Sequence, residues 1–315
     1  MMRLWRYRGA PSQKHRRILL DECALGPDHF VAGAVAVRNH RTGIKINRSQ
    51  GPPAVACICI SNLDGIMRKD DVLNLPSMPL AGPSYPAGPY RFINREYMTI
   101  TYETDPAAIR AQLPEPLEPV GDNLVHYEWI RMPDSTGFGS YTETGLVIPA
   151  KLGGEAVGFV SQMYLDDDPP IVAGREIWGF PKKYANPKLE IVKDTLTGTL
   201  EYAGQLVAMG SMGYKHESMA GNGERTLAML TKTQINLKLI PGVDGEPAIC
   251  QLVAINLTDI TVKGSWMGPA RLHLVPHVNA PVADLPVRKV IGAHHYIADL
   301  TLPYGRVAYD YLKER

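Results

Sequence analysis

From about residue 96 onward this chain is a succession of short strand patterns broken by tight glycine turns, with almost no helix between them, and that limits the folds open to it. Glu96–Tyr102, Leu124–Met132, Tyr141–Ile148, Ala156–Leu165, Lys188–Lys193, Thr199–Tyr202, Leu206–Tyr214, Gln234–Ile240, Cys250–Val262, Ala270–Val275 and His294–Leu302 all read as strands. Several alternate apolar with polar residues, which buries one face and leaves the other open. Helix signals are few. Asp70 to Leu75 is a short candidate; Asp105 caps a segment with Pro106 at its first position that runs to Gln112 and stops before Pro114. A third begins after Asp168, enters through Pro169 and Pro170, and continues over Ile171–Trp178. Parallel strands need long crossover connections, usually helices, so the pattern predicts a mainly β (α+β) fold built on a largely antiparallel sheet or barrel.

Ahead of this body the chain changes character. Residues 1–66 hold ten Lys or Arg against four Asp or Glu and show no sustained periodicity. They read as an extension outside the folded domain, with Met67 as a candidate translation start and 67–315 as the domain. Two alternatives stay open for the front: an organelle-targeting opening over Met1–Leu20, rich in Arg and poor in acid until Asp21, or a basic arm for acidic partners. Pro76 to Pro89 is an extended lead-in, and the body starts near Tyr90.

Several function classes fall away. A formal net charge of +1 lacks the basic excess of a nucleic-acid binder. No apolar run approaches the roughly 18 residues of a membrane-spanning helix. Neither G-x-G-x-x-G nor a P-loop occurs, so neither a nucleotide nor a flavin is expected; G-x-S-x-G and H-E-x-x-H are missing as well. Cys23, Cys57 and Cys59 lie in the front and Cys250 alone in the body, which suits a reducing cytoplasm rather than a disulfide framework. Cys57-x-Cys59 has no partner pair at zinc-ligand spacing, so no metal is expected. His294-His295 on a strand would face opposite sides, one toward the core. Asp166-Asp167-Asp168 before two prolines marks a helix start.

What remains is Gly179-Phe180-Pro181-Lys182-Lys183. A lysine pair is ordinarily surface decoration, yet this one is framed by Ile177, Trp178, Phe180, Pro181 and Tyr184. A lysine amine attacks only when neutral, and at an ordinary pKa of about 10.4 roughly one in 2,500 is neutral at pH 7. Burial disfavours the ammonium and can lower that pKa by about 3–5 units. In an extended segment Lys182 and Lys183 point to opposite sides, so desolvation rather than mutual repulsion should do the tuning, with Lys183 in a supporting role.

The body also carries Gly88-Pro89-Tyr90, Asn94-Arg95-Glu96-Tyr97, Pro114-Glu115-Pro116-Leu117, Tyr141-Thr142-Glu143, Gly174-Arg175-Glu176, Pro181-Lys182-Lys183, Met212-Gly213-Tyr214-Lys215-His216 and Gly268-Pro269, in that order. In these motifs the chain from about Met67 resembles the acetoacetate decarboxylases. The resemblance implies a lysine Schiff base at Lys182, with Arg95, Glu128 and Glu143 around it. That family is itself the usual illustration of a lysine activated by an apolar pocket or a neighbouring cation, so the principle adds no independent support here. It further implies a cofactor-free carboxy-lyase that converts acetoacetate to acetone and carbon dioxide, assembled as a large homo-oligomer. On this reading Glu143 transfers the proton, Arg95 holds the substrate and Glu128 organises the charges. The alternatives are a Schiff-base aldolase or dehydratase on the same scaffold, or a catalytically silent member.

Overall fold

The computed structural model describes residues 67–218 and 223–313. The readings for residues 1–66, including the basic front, Cys57 and Cys59, lie outside the described residues.

Fourteen strands longer than two residues carry the fold: β1 Tyr90–Glu103, β2 Leu124–Met132, β3 Tyr141–Leu152, β4 Glu155–Leu165, β5 Lys182–Tyr184, β6 Asn186–Val192, β7 Thr195–Tyr202, β8 Gln205–Gly213, β9 Gln234–Pro241, β10 Pro247–Ile255, β11 Thr258–Gly268, β12 Ala270–Leu274, β13 Lys289–Leu302 and β14 Arg306–Asp310. The large sheet runs β11–β13–β1–β2–β3–β4–β9–β10–β14, and β12–β8–β7–β6 form a second sheet. Pairing is antiparallel throughout except where β4 meets β5 and β9. The mainly β expectation holds. Four short helices accompany the strands: α1 Lys69–Leu73, α2 Pro106–Gln112, α3 Asp168–Ala173 and α4 Gly223–Leu230.

Local chemistry accounts for the boundaries. Asp105 and Asp167 occupy the N-cap positions of α2 and α3, each followed by proline in the first turn, where a missing N–H costs nothing. After α3 the chain widens into a π-helical turn, Gly174–Trp178, which Gly179 ends in the left-handed region at φ 74°. A side chain at Gly179 would meet the Lys238 backbone at 2.5 Å, so close packing and conformation both require glycine.

Trp129 is the keystone between the sheets. Its indole is fully buried and donates to the Thr199 carbonyl at 3.0 Å, while Gly198 and Gly210 leave room for the ring; a Cβ at either would come within 2.6 Å of it. Around it Ile100, Leu146, Leu196, Leu200, Val207 and Ala208 fill the space between the layers. The opposite face of the large sheet folds around a second apolar cluster with Phe92, Ile130, Val160, Met163, Trp178 and Phe180, and there the cavity lies.

Two expectations need correction. Cys250–Val262 is not one strand: the chain turns at Asn256-Leu257 and its halves pair with different neighbours, β10 with β9 and β14, β11 with β13. The Asn256 amide donates to Thr231 O at 3.3 Å and Thr233 Oγ1 at 2.9 Å, bonds to a distant segment that no local pattern announces. Helix α4 was not anticipated either; its buried Thr226 and Leu230 stand one turn apart in an otherwise exposed segment.

Candidate active site

Strand alternation delivers the site. Along β1, Arg95, Tyr97 and Thr99 face the cavity; Glu128 does so from β2, Glu143 from β3 and Lys182 from β5. Register stacks them in levels: Tyr97 opposite Ile130 and Ile130 opposite Glu143, then Thr99 opposite Glu128 and Glu128 opposite Gly145. Lys182 is brought in beside Met163 by the parallel pairing of β5 with β4. All four residues expected to surround the chemistry therefore converge on one cavity of about 130 Å³.

Arg95 reaches inward because β1 is irregular just before it. The register slips between Phe92 and Arg95, and Asn94 takes a left-handed conformation at φ 55°, which asparagine tolerates better than most residues. Its amide donates to Asp299 Oδ1 at 2.7 Å, and Lys263 donates to its side-chain oxygen at 2.6 Å. Glu96, the next residue, points the other way and accepts from buried His295 at 2.9 Å and from Arg131 at 2.5 Å. Of the histidine pair, His295 is the buried member, as alternation requires, while His294 is half-buried against Ser265.

Glu143 bridges the two cations. Its Oε1 accepts from Arg95 Nη2 at 3.0 Å and its Oε2 lies 3.3 Å from Lys182 Nζ, where it accepts no well-formed hydrogen bond. Arg95 Nε is likewise buried without a partner. The Arg95 guanidinium lies 4.9 Å from the Tyr97 ring centre and 5.0 Å from that of Phe92. Lys182 is 7% exposed and flanked by the Phe180 and Tyr141 rings. Burial is the largest influence on its amine and holds the pKa below the ordinary lysine value; Glu143 pulls it back up and Arg95 pushes it down. Glu128 faces the cavity with Thr99 Oγ1 donating to it at 3.3 Å. Burial pushes its carboxyl up to about 7, against the lowering effects of Arg95 and Thr99.

Lys183 is not brought to this cavity. Its Nζ donates to the Asn279 carbonyl at 2.5 Å and sits over the Tyr202 ring, on the far side of β5. The second cation acting on Lys182 is thus Arg95. Gly174 has a role that only the packing reveals: a Cβ there would stand 2.6 Å from Lys182 Cδ and 2.8 Å from its Cε, so the π-turn leaves a slot for the lysine stem. Arg175 of the same turn donates to the Lys182 carbonyl at 3.2 Å. Tyr97, Tyr141 and Tyr296, absent from the sequence-based set, also line the cavity, and burial raises the pKa of each phenol, leaving them protonated donors. Tyr97 and Thr99 could have been found by stepping two and four residues from Arg95 along the strand.

An amine whose proton is held less tightly than usual, a carboxyl that titrates near neutrality and an arginine with bonding capacity to spare suit chemistry on an anionic carbonyl compound, within the class of β-fold enzymes that work through a buried lysine. The comparisons narrow this. Residues 77–312 match the profile of the family described as acetoacetate decarboxylase (ADC), and the chain belongs to that family. It is 56% identical over 244 residues to the acetoacetate decarboxylase of Paraburkholderia xenovorans, covering 78% of this chain and 96% of that one. Over 236 residues it is 56% identical to the enzyme of that name from Acidiphilium cryptum, covering 75% and 95%. The crystal structure of acetoacetate decarboxylase from Legionella pneumophila superposes with a TM-score of 0.73 at 50% identity, over 77% of this chain and 96% of that one. The enduracididine biosynthesis enzyme MppR complexed with pyruvate, 19% identical over 75% of this chain and 98% of that one, with a TM-score of 0.65, shares the fold alone.

Proposed function

We propose that the protein decarboxylates acetoacetate to acetone and carbon dioxide through an imine on Lys182. The observation that carries this reading is the depressed Lys182 amine, ion-paired with Glu143 at 3.3 Å at the base of a largely apolar cavity. Neutral Nζ adds to the ketone carbon, one proton is taken up from a neighbouring acid or water, and the hydroxyl leaves as water, giving a protonated imine. The bond to the carboxylate then breaks and its electron pair flows into the imine, releasing carbon dioxide and leaving an enamine. A proton is delivered to carbon, and water hydrolyses the new imine to acetone and the free amine. The chemistry is complete with this chain's own residues and water.

Arg95, with a buried and unbonded Nε, receives the substrate carboxylate. Glu143, already shared by both cations, holds Lys182 and Arg95 in place and confronts the substrate carboxylate with a like charge. Losing that charge as carbon dioxide relieves the repulsion. Proton transfer, which the sequence reading gave to Glu143, is better suited to Glu128. Its carboxyl keeps a proton up to about pH 7 and, among the described residues, has one weak hydrogen bond, from Thr99. The aldolase or dehydratase alternative has less support, because Arg95, Glu128 and Glu143 all match the decarboxylase pattern.

Gas evolution from acetoacetate by the purified protein, beside borohydride inactivation in its presence, tests the whole scheme; absence of both would reject it. Glu128 is tested by pH. If it delivers the proton, kcat/KM falls on the alkaline side as the carboxyl ionises through about 7. In Glu128→Gln that limb disappears and the rate drops about 10²- to 10⁴-fold, the usual range for general acid catalysis. An unchanged alkaline limb in the variant would return the role to Glu143.

Among the described residues no helix is long and apolar enough to cross a membrane. We extend the reading to a large homo-oligomer, as the family resemblance implies, and to the reducing cytoplasm that the cysteine distribution suits. Ile191, Val192, Leu206 and Met209, all exposed on the second sheet, are suited to contacts between copies. Sedimentation of the native protein as a monomer would reject the assembly.

A further inference from the structure

The cavity has a closed end and an open one. Around Lys182 its walls are buried: Phe92, Tyr141, Glu143, Phe180, Tyr296 and Leu302. Besides Arg95 and Glu128 within the site, the half-buried lining residues gather at the other end, with His126 on β2, Val147 and Pro149 on β3, Gly158 on β4 and Met229 on α4. Among all the residues lining the cavity, Lys232 is the exposed one, so the route to solvent passes it. Pro149 lies six positions beyond Glu143 on β3, and at about 3.3 Å per residue the mouth stands roughly 20 Å from the chemistry.

The segment that presents Lys232 is tethered at several points. Lys232 N donates to Met229 O at the end of α4, Gly158 N donates to Thr233 O at 2.9 Å, and Asn256 bonds to Thr231 and Thr233 on either side. Lys232 enters no ion pair among the described residues. His126, a titratable side chain on the same wall, is within electrostatic reach of Lys232 and Asp122; burial lowers its pKa to about 4, so it is neutral near pH 7. Its Nδ1 is 3.0 Å from Thr101 Oγ1. Asp122 is exposed and does not line the cavity. Among the residues lining the mouth Lys232 is therefore the positive charge outside an ion pair, with exposed Arg306 close by on Asn256 Oδ1 at 2.8 Å, and positive charge over a low-dielectric throat concentrates anions at an opening.

We propose that Lys232 is the guiding residue of the site: it draws the carboxylate of the incoming 3-oxo acid to the mouth and has no hold on the uncharged ketone that leaves. This rests on the decarboxylase reading above, and it assigns Lys232 no part in the bond-breaking steps. The guidance is electrostatic, so charge is what matters and chain length is secondary.

The test compares an anionic with a neutral imine-forming partner of Lys182 in the full-length protein. In Lys232→Glu, kcat/KM for acetoacetate is expected to fall about three- to tenfold or more at low ionic strength, with kcat within about twofold, and the deficit should shrink as salt is raised. Lys232→Arg should restore the wild-type value. Acetone carries no charge but forms the same imine, so its deuteration in D2O should run equally fast in wild type and Lys232→Glu. Loss of acetone deuteration in step with acetoacetate turnover would overturn the proposal, because it would make Lys232 a structural part of the wall. So would an unchanged kcat/KM, or a deficit that ignores salt. Wild-type protein that neither deuterates acetone nor is trapped by borohydride would instead reject the underlying decarboxylase reading and the guidance with it.

Discussion

Lys182→Ala should abolish turnover and borohydride trapping together, with a loss on the order of 10⁶-fold, the scale seen when a covalent nucleophile is removed. The expectation rests on position: only Lys182 of the lysine pair enters the cavity, while Lys183 is committed to the Asn279 carbonyl and the Tyr202 ring on the other side of β5. Lys183→Ala should therefore remain trappable and lose no more than about tenfold, since no removed contact touches the reacting atoms. Mass spectrometry of the reduced adduct decides between them; a label on Lys183 alone would sink the assignment. Amine-selective labelling across pH adds a second reading. Lys182 should become reactive well below the ordinary lysine range of about 10.4, and a midpoint at that value would contradict desolvation as the tuning force.

Glu143→Ala should be the most damaging change to stability in the site. It removes the anion shared by Arg95 and Lys182 and leaves two buried cations facing each other. Breaking a buried pair on one side costs about 3–5 kcal/mol, and the lower end applies because Lys182 can shed its proton. That relief has a pH signature. Glu143 raises the Lys182 pKa, so its removal lowers the folded-state value further below that of the unfolded chain. Between those two values the unfolded chain binds the extra proton, so the variant gains stability as pH rises through that window and is weakest below it. Urea denaturation at several pH values measures this; a deficit independent of pH would mean that Lys182 never carries the charge.

How much of this could be read in the residues varies from element to element. Leu124–Met132 has the same limits in the sequence reading and in the structure, because a run of β-branched and aromatic residues and flanking turn residues coincide there. The helix starts at Asp105 and Asp167–Asp168 were legible from proline and acid placement. Cys250–Val262 misled because an apolar run says nothing about which neighbour each half will pair with. Within the site, the apolar frame marked Lys182, but Arg95, Glu128 and Glu143 stood out through family resemblance alone. As isolated charges on strands they look like solvated faces. Gly174 and Lys232 were invisible for a different reason: the slot for the lysine stem and the mouth of the cavity exist only once β4, β5, α4 and the π-turn are assembled.

The blind end of the cavity bears on commitment. In the proposed chemistry a molecule of carbon dioxide released beside Lys182 is ringed by mostly buried walls, with the exposed lining residue Lys232 at the other end, so it and the enamine share a small volume for a time. In the proposed chemistry the reverse reaction, recapture of the gas by the enamine carbon, competes during that interval. A proton delivered from Glu128, as proposed, would end the contest, since a protonated carbon has no electron pair left to offer. A carboxyl on the same register row as the lysine, reached through Gly145 and Met163, with its proton retained near neutrality, acts in the proposed chemistry as a ratchet on a reversible bond cleavage.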